Sequence, residues 1–97
     1  MIKQAKKLQE KMADLQAELE SRTVTATAGG GMVTVVMNGK YEVLSVKIER
    51  EVINPEDAEM LQDLIAAAVN EGTRKVQEMT SQAMSSLTGG FNIPGLA

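Results

Sequence analysis

The segment that most restricts the fold opens at Asn54-Pro55-Glu56-Asp57 and runs to Thr88-Gly89-Gly90 with no further proline. Asparagine caps a helix, proline suits the first helical position, and two carboxylates favour the positive end of the helix dipole. The paired glycines after Leu87 stop it. A helix over 55–87 is a rod of about 50 Å. A compact globule of 97 residues has a radius of gyration near 12.5 Å, hence a diameter of about 32 Å. The rod cannot be enclosed, so part of it must project. Its apolar positions change along the way. Met60, Leu61, Leu64, Ile65, Ala68 and Val69 form a broad face suited to a sheet. Beyond Gly72 only the narrow seam of Val76, Met79, Ala83 and Leu87 continues.

A second narrow seam lies at the other end of the chain. Ala5, Leu8, Met12, Leu15 and Leu19 alternate at spacings of three and four inside a helix predicted over 2–22. This helix would join the sheet at its C-terminal end and the long helix at its N-terminal end. Their free ends therefore leave together as an antiparallel two-helix arm. Matching the seams in order puts Leu19 near Gly72, Leu15 near Val76, Met12 near Met79, Leu8 near Ala83 and Ala5 near Leu87.

Three strands are expected between the helices, over 23–28, 32–37 and 40–50, as an antiparallel meander. Asn38-Gly39 is a strong hairpin signal of type I′. A two-residue loop pairs Met37 with Lys40, Val35 with Glu42 and Val33 with Leu44. One face then carries Val33, Val35, Met37, Leu44, Val46 and Ile48, and the other Met32, Thr34, Val36, Tyr41 and Val43. One chain cannot cover both faces, and an uncovered apolar face marks an interface. A two-fold homodimer is the simplest cover, with Met32, Val36, Tyr41 and Val43 at the contact. In this register Gly31 faces Val46 and Gly29 faces Ile48. The run Gly29-Gly30-Gly31 either lets another backbone approach closely or simply makes the turn. The fold class is α+β: one domain over 1–88, homodimeric, with a two-helix arm on a sheet base. A flexible Gly/Pro tail over 89–97 follows.

Composition narrows the function. The chain holds no histidine and no cysteine, which removes the commonest acid–base group, the disulfide and the thiol metal site. No stretch approaches the roughly 20 apolar residues of a membrane span, and the N-terminal segment has no secretory apolar core. A cytoplasmic protein is expected. Glu56, Asp57, Glu59 and Asp63 are accounted for by the helix N-terminus, so no metal, cofactor, small-molecule substrate or catalytic role is assigned. The three glycines are not followed by the Lys-Ser/Thr helix start of a phosphate loop.

The order of local features carries a resemblance over nearly the whole chain. KQAKKLQEKM is followed by AGGGMVTVVMNGKYEVLSVKI, then INPEDAEMLQDLIAAAVNEGTRKV, then LTGGFNIPG. Each piece alone is weak; in this order they closely resemble the YbaB/EbfC family of bacterial nucleoid-associated proteins. The resemblance implies a helix–sheet–helix protomer, a homodimer with projecting arms, and DNA binding by those arms at the nucleoid. Family members often carry Gly/Met-rich residues ahead of the KQA segment. This sequence begins almost at it, so contacts made by such an extension are not expected here.

The net charge of −3 does not by itself announce a nucleic-acid binder, since such domains are usually basic. The distribution is more telling. Lys3, Lys6, Lys7 and Lys11 lie on the helix face opposite the Leu/Met seam, at what would be the arm tip. Cations at a helix N-terminus oppose the macrodipole. With the DNA binding that the resemblance implies, these four lysines are the expected contacts to double-stranded DNA, with Arg22, Arg74 and Lys75 as weaker candidates. The bland alternative is a solvated face with pairs such as Lys6 with Glu10. A different class of function also remains: a protein-binding adaptor or chaperone-like dimer gripping a partner through Met84, Leu87 and the FNIPG tail.

Overall fold

The computed structural model of the chain describes residues 2–89, with side chains through residue 86. Helix α1 spans Ile2–Ser21, strands β1, β2 and β3 span Thr23–Ala28, Val33–Asn38 and Val43–Ile48, and helix α2 spans Ala58–Gly89. The sheet is an antiparallel meander in the order β1-β2-β3. Two 3-10 turns, Arg50–Val52 and Pro55–Asp57, lead into α2. The first anchors the connection by burying Val52. In the second, the Asn54 side chain accepts the Glu56 N–H at 3.0 Å, so the expected cap is made one 3-10 turn ahead of the α-helix.

The core lies between α2 and one face of the sheet. Ala26, Val33, Val35 and Met37 from the strands meet Ala68 and Val76 of α2, all fully buried. Around them pack Ala28, Ile48, Leu61, Leu64, Ile65 and Val69. Gly72 marks the closest approach: a Cβ there would stand 3.3 Å from the Met37 Cε and 3.8 Å from the Ala26 Cβ. The broad apolar face read from the sequence is thus the part of α2 that covers the sheet. The rest projects. The molecule extends 65 × 26 × 15 Å with a radius of gyration of 18.7 Å, against about 12.5 Å for a compact chain of this length.

The hairpin differs from its expected form. Asn38 and Glu42 close a three-residue loop in which the Tyr41 N–H donates to the Asn38 carbonyl and the Asn38 N–H to the Glu42 carbonyl, each at 3.0 Å. Tyr41, with φ of 64°, takes the left-handed position; Gly39 does not. The turn is therefore type I followed by a left-handed residue, the common three-residue alternative to type I′. The Asn38 side chain holds it by accepting from the Lys40 N–H at 2.9 Å and the Glu42 N–H at 3.1 Å. Gly39 is needed for another reason. A Cβ there would stand 1.9 Å from the Leu19 carbonyl oxygen, where the end of α1 rests on the turn.

The register changes accordingly. Val33 faces Ile48, Val35 faces Val46, Val36 faces Ser45 and Met37 faces Val43, with a bulge that leaves Leu44 as the extra residue. Residues 40–42 precede the strand, so β3 is shorter than expected. Beyond the bulge the slip from the expected pairing is an even number of residues, so Val46 and Ile48 keep their predicted face. Val43, on the loop side of the bulge, moves to the Met37 side. Thr23, Thr25, Thr27, Thr34, Val36, Ser45 and Lys47 make up the other face. That face is rich in hydroxyls and not apolar as expected. Gly31 and Gly29 lie in the β1–β2 turn and not opposite Val46 and Ile48. All three glycines of that turn have φ between 65° and 97°. The turn reading holds for Gly29; the close neighbour a Cβ on it would meet is the Leu64 Cδ2 at 2.8 Å, the end of a side chain and not another backbone.

Candidate nucleic-acid interface

Helix α1 meets the sheet only at its C-terminal end. Leu19 is buried there, and the Gly39 N–H donates to the Arg22 carbonyl at 3.2 Å. Along α1 towards Ile2 burial declines: Leu15 is half-buried, and Met12 and Leu8 are exposed. The two helices line a common groove as an antiparallel pair, offset from the expected match by about a turn. Met12, Leu15 and Leu19 share the walls of a cavity of about 400 Å³ with Tyr41, Thr80 and Met84. Leu15 also lines a groove with Met79 and Ala83, where Val76 had been expected. Val76 instead sits fully buried on the sheet side. The expected neighbour of Ala5, Leu87, has its side chain outside the described residues, as does the tail from residue 90.

Lys3, Lys6, Lys7 and Lys11 are exposed in the first three turns of α1, at the end remote from the sheet. Among the described residues none of the four is held in an ion pair. The weaker candidates are all engaged. Arg22 pairs with Glu18, and Arg74 with Glu71. The Lys75 ammonium donates to the Thr25 backbone carbonyl at 2.8 Å. Lys40 stands 4.0 Å from Glu20. Four ammonium groups with no ion pair among the described residues, over about 12 Å of helix from Lys3 to Lys11, form a surface suited to anionic oxygens. The sequence reading did not single out Lys47, which is exposed on the hydroxyl-bearing face of the sheet. Its alternation with Ser45 in β3 was the available signal.

The four residues expected at a dimer contact are not together on one face. Tyr41 is in the hairpin loop, Val43 lies opposite Met37, Val36 is on the hydroxyl-bearing face, and Met32 is at the far end beside Glu49. The uncovered apolar surface runs along β3. Helix α2 packs on β1 and β2, and of the β3 side chains Ile48 joins the core. Val43 and Val46 are each 44% exposed and Leu44 is 55% exposed.

No cluster of three or more acidic side chains among the described residues is placed to hold a metal ion. No described helix is long and apolar enough to cross a membrane.

A sheet-based α+β protomer, with a projecting helix pair and its exposed lysines at the end of one helix, is the class that fold and surface define. The chain belongs to the YbaB/EbfC DNA-binding family, whose model matches residues 1–91. This is a family of nucleoid-associated DNA-binding proteins and not of enzymes. The chain is similar to a nucleoid-associated protein of Syntrophobacter fumaroxidans, at 63% identity over 98% of this chain and 86% of that one. It is also similar to one of Alkaliphilus metalliredigens, at 56% identity over 99% and 84%. Among solved structures, an uncharacterised protein from Helicobacter pylori matches with a TM-score of 0.74 at 25% identity, covering 87% of this chain and 88% of that one.

Proposed function

We propose that the protein binds duplex DNA at the nucleoid, in the cytoplasm, as a homodimer of a single domain over 1–88. Phosphate contacts come from Lys3, Lys6, Lys7 and Lys11 at the arm ends. The observation that carries this reading is the clustering of four lysines within three turns at the end of α1, since Lys47 and Arg50 also lack an ion pair among the described residues but stand apart from them. The four at the end of α1 have no ion-pair partner among the described residues, while Arg22, Arg74 and Lys75 are each held within the protomer. Phosphate contacts of this kind position a protein on the duplex and carry little sequence information. A dimer of net charge −6, twice the −3 of one chain, repels DNA at long range. Affinity is therefore modest and concentrated where the lysines are.

The homodimer rests on β3. That strand has one free edge and an uncovered apolar row, whereas the other edge strand, β1, already has Lys75 on its backbone. Lysine at an edge discourages strand pairing. A two-fold contact along β3 would bring Tyr41 and Val43, with Val46, under cover, and Met32 and Val36 flank it.

Titration of duplex DNA at several salt concentrations tests the arm-end model. Neutralising four to six phosphates gives a slope of log K against log[salt] of about −4 to −5. Replacing Lys3, Lys7 and Lys11 with alanine should flatten it. An unchanged slope would overturn the placement of the site. No DNA complex even at low salt would overturn DNA binding itself and leave the protein-binding adaptor.

A further inference from the structure

Asn38 and Gly39 are held more tightly than a solvent-facing turn requires. Asn38 is only 9% exposed. Its Oδ1 accepts from two backbone N–H groups, those of Lys40 and Glu42, and its Nδ2 donates to the Glu42 carboxylate at 2.9 Å. The Gly39 N–H is occupied by the Arg22 carbonyl at 3.2 Å. No side chain fits at position 39 while α1 rests on the turn, because the Leu19 carbonyl carbon and oxygen would stand 2.6 and 1.9 Å from a Cβ. The docking of α1 thus imposes glycine after an asparagine that the turn itself requires.

That dipeptide is chemically labile. With no Cβ on the following residue, the chain rotates freely and its backbone nitrogen reaches the asparagine side chain. The Gly39 nitrogen loses its proton and bonds to Asn38 Cγ, the Cγ–Nδ2 bond breaks, and ammonia leaves. Water then opens the resulting succinimide at either carbonyl, giving aspartate or isoaspartate. No oxidant or other co-reactant is needed. Attack requires a free Gly39 nitrogen and a carboxamide free to turn towards it. The docked structure removes both.

We propose that Asn38 is a deamidation site gated by the arm: the docking of α1 on the hairpin turn both demands the labile Asn-Gly pair and shields it. Conversion is then confined to molecules whose α1 has lifted from the turn. The gate is local. Leu19 is the buried α1 side chain at the junction, whereas the core formed by Val33, Val35 and Ala68 lies between the sheet and α2. Segments held by few buried contacts open at lower free energy than the whole domain. The change is also one-way. Aspartate at position 38 loses the Nδ2 donor and sets a second carboxylate beside Glu42. Isoaspartate adds a methylene to a backbone turn closed by two hydrogen bonds. Either product weakens the surface on which Leu19 rests.

The test is peptide mapping of aspartate and isoaspartate at position 38 during incubation of the full chain at neutral pH. Folded protein should convert about tenfold or more slowly than the same chain in urea. Leu19→Ala, which loosens the docking, should accelerate conversion severalfold more than Leu64→Ala, which weakens the core at the other end of the sheet, when the two are compared at matched urea stability. Leu15→Ala is the milder arm variant should Leu19→Ala not fold. Equal rates in folded and urea-unfolded chain would overturn the shielding. Equal acceleration by arm and core variants of matched stability would overturn the local gate.

Discussion

Replacing Gly39 with alanine should lift the arm while leaving the sheet intact. The new Cβ would stand 1.9 Å from the Leu19 carbonyl oxygen and 3.2 Å from the Glu20 nitrogen, both backbone atoms that no rotamer change can move. Ordinary contact begins near 3.4 Å, so α1 must withdraw by about 1.5 Å. Withdrawal breaks the bond from the Gly39 N–H to the Arg22 carbonyl, now 3.2 Å long, a loss of about 1 kcal/mol. It also uncovers Leu19, at present 7% exposed, and burial of a leucine contributes about 1.5–3 kcal/mol. Together the docking weakens by about 2.5–4 kcal/mol, against about 5–15 kcal/mol for a typical domain. Hydrogen exchange resolves the two parts of the molecule. Amides in the last two turns of α1 should exchange about 60- to 700-fold faster, since 1.4 kcal/mol is a factor of ten. Those of Val33 and Val35 should keep most of their protection. Gly30→Ala is the control. It has nothing within 4 Å of its would-be Cβ but a φ of 69°, so it costs about 1–2 kcal/mol through the backbone alone and should not single out α1. If Gly39→Ala leaves α1 protection unchanged and the urea midpoint unmoved, the Leu19 contact does not set the position of the arm.

Three further outcomes follow from particular contacts. Val46→Asp, on the uncovered part of β3, should yield a folded monomer by light scattering, and a persistent dimer would remove β3 from the interface. Tyr41→Gly relieves a left-handed tyrosine at φ 64° and should raise stability in urea by about 1 kcal/mol; a loss would mean that packing of the ring outweighs the strain. Lys75→Ala should change the salt slope of DNA binding much less than Lys7→Ala does, because the Lys75 ammonium is already held by the Thr25 carbonyl. Equal effects would place Lys75 in the interface.

Features governed by neighbouring residues are legible in the sequence. The Asn54 cap, the length of α2, the meander of three strands and the two helical seams depend on contacts a few residues apart, which spacing and propensity report directly. The projecting arm followed from the length of α2 alone. Part of the division among the cations was also readable: Arg22 stands four residues from Glu18, and Arg74 three from Glu71, the spacings at which helical side chains meet. Contacts between distant segments decided the rest. Asn38-Gly39 was read as a type I′ turn because that is the local reason for such a pair. The glycine is there for the Leu19 carbonyl, 20 residues back in the sequence, and the left-handed position falls on Tyr41. The register of β3, and the removal of Tyr41 and Val43 from the outer face, depend on that loop and on the bulge at Leu44. Lys75 reaches a backbone carbonyl 50 residues away, a distance no periodicity reports. The sequence by itself determined which elements form and that they could not all pack into one globule. Only the tertiary structure decided which strand stays uncovered and that Lys75 is taken up by β1, because both depend on where α2 crosses the sheet.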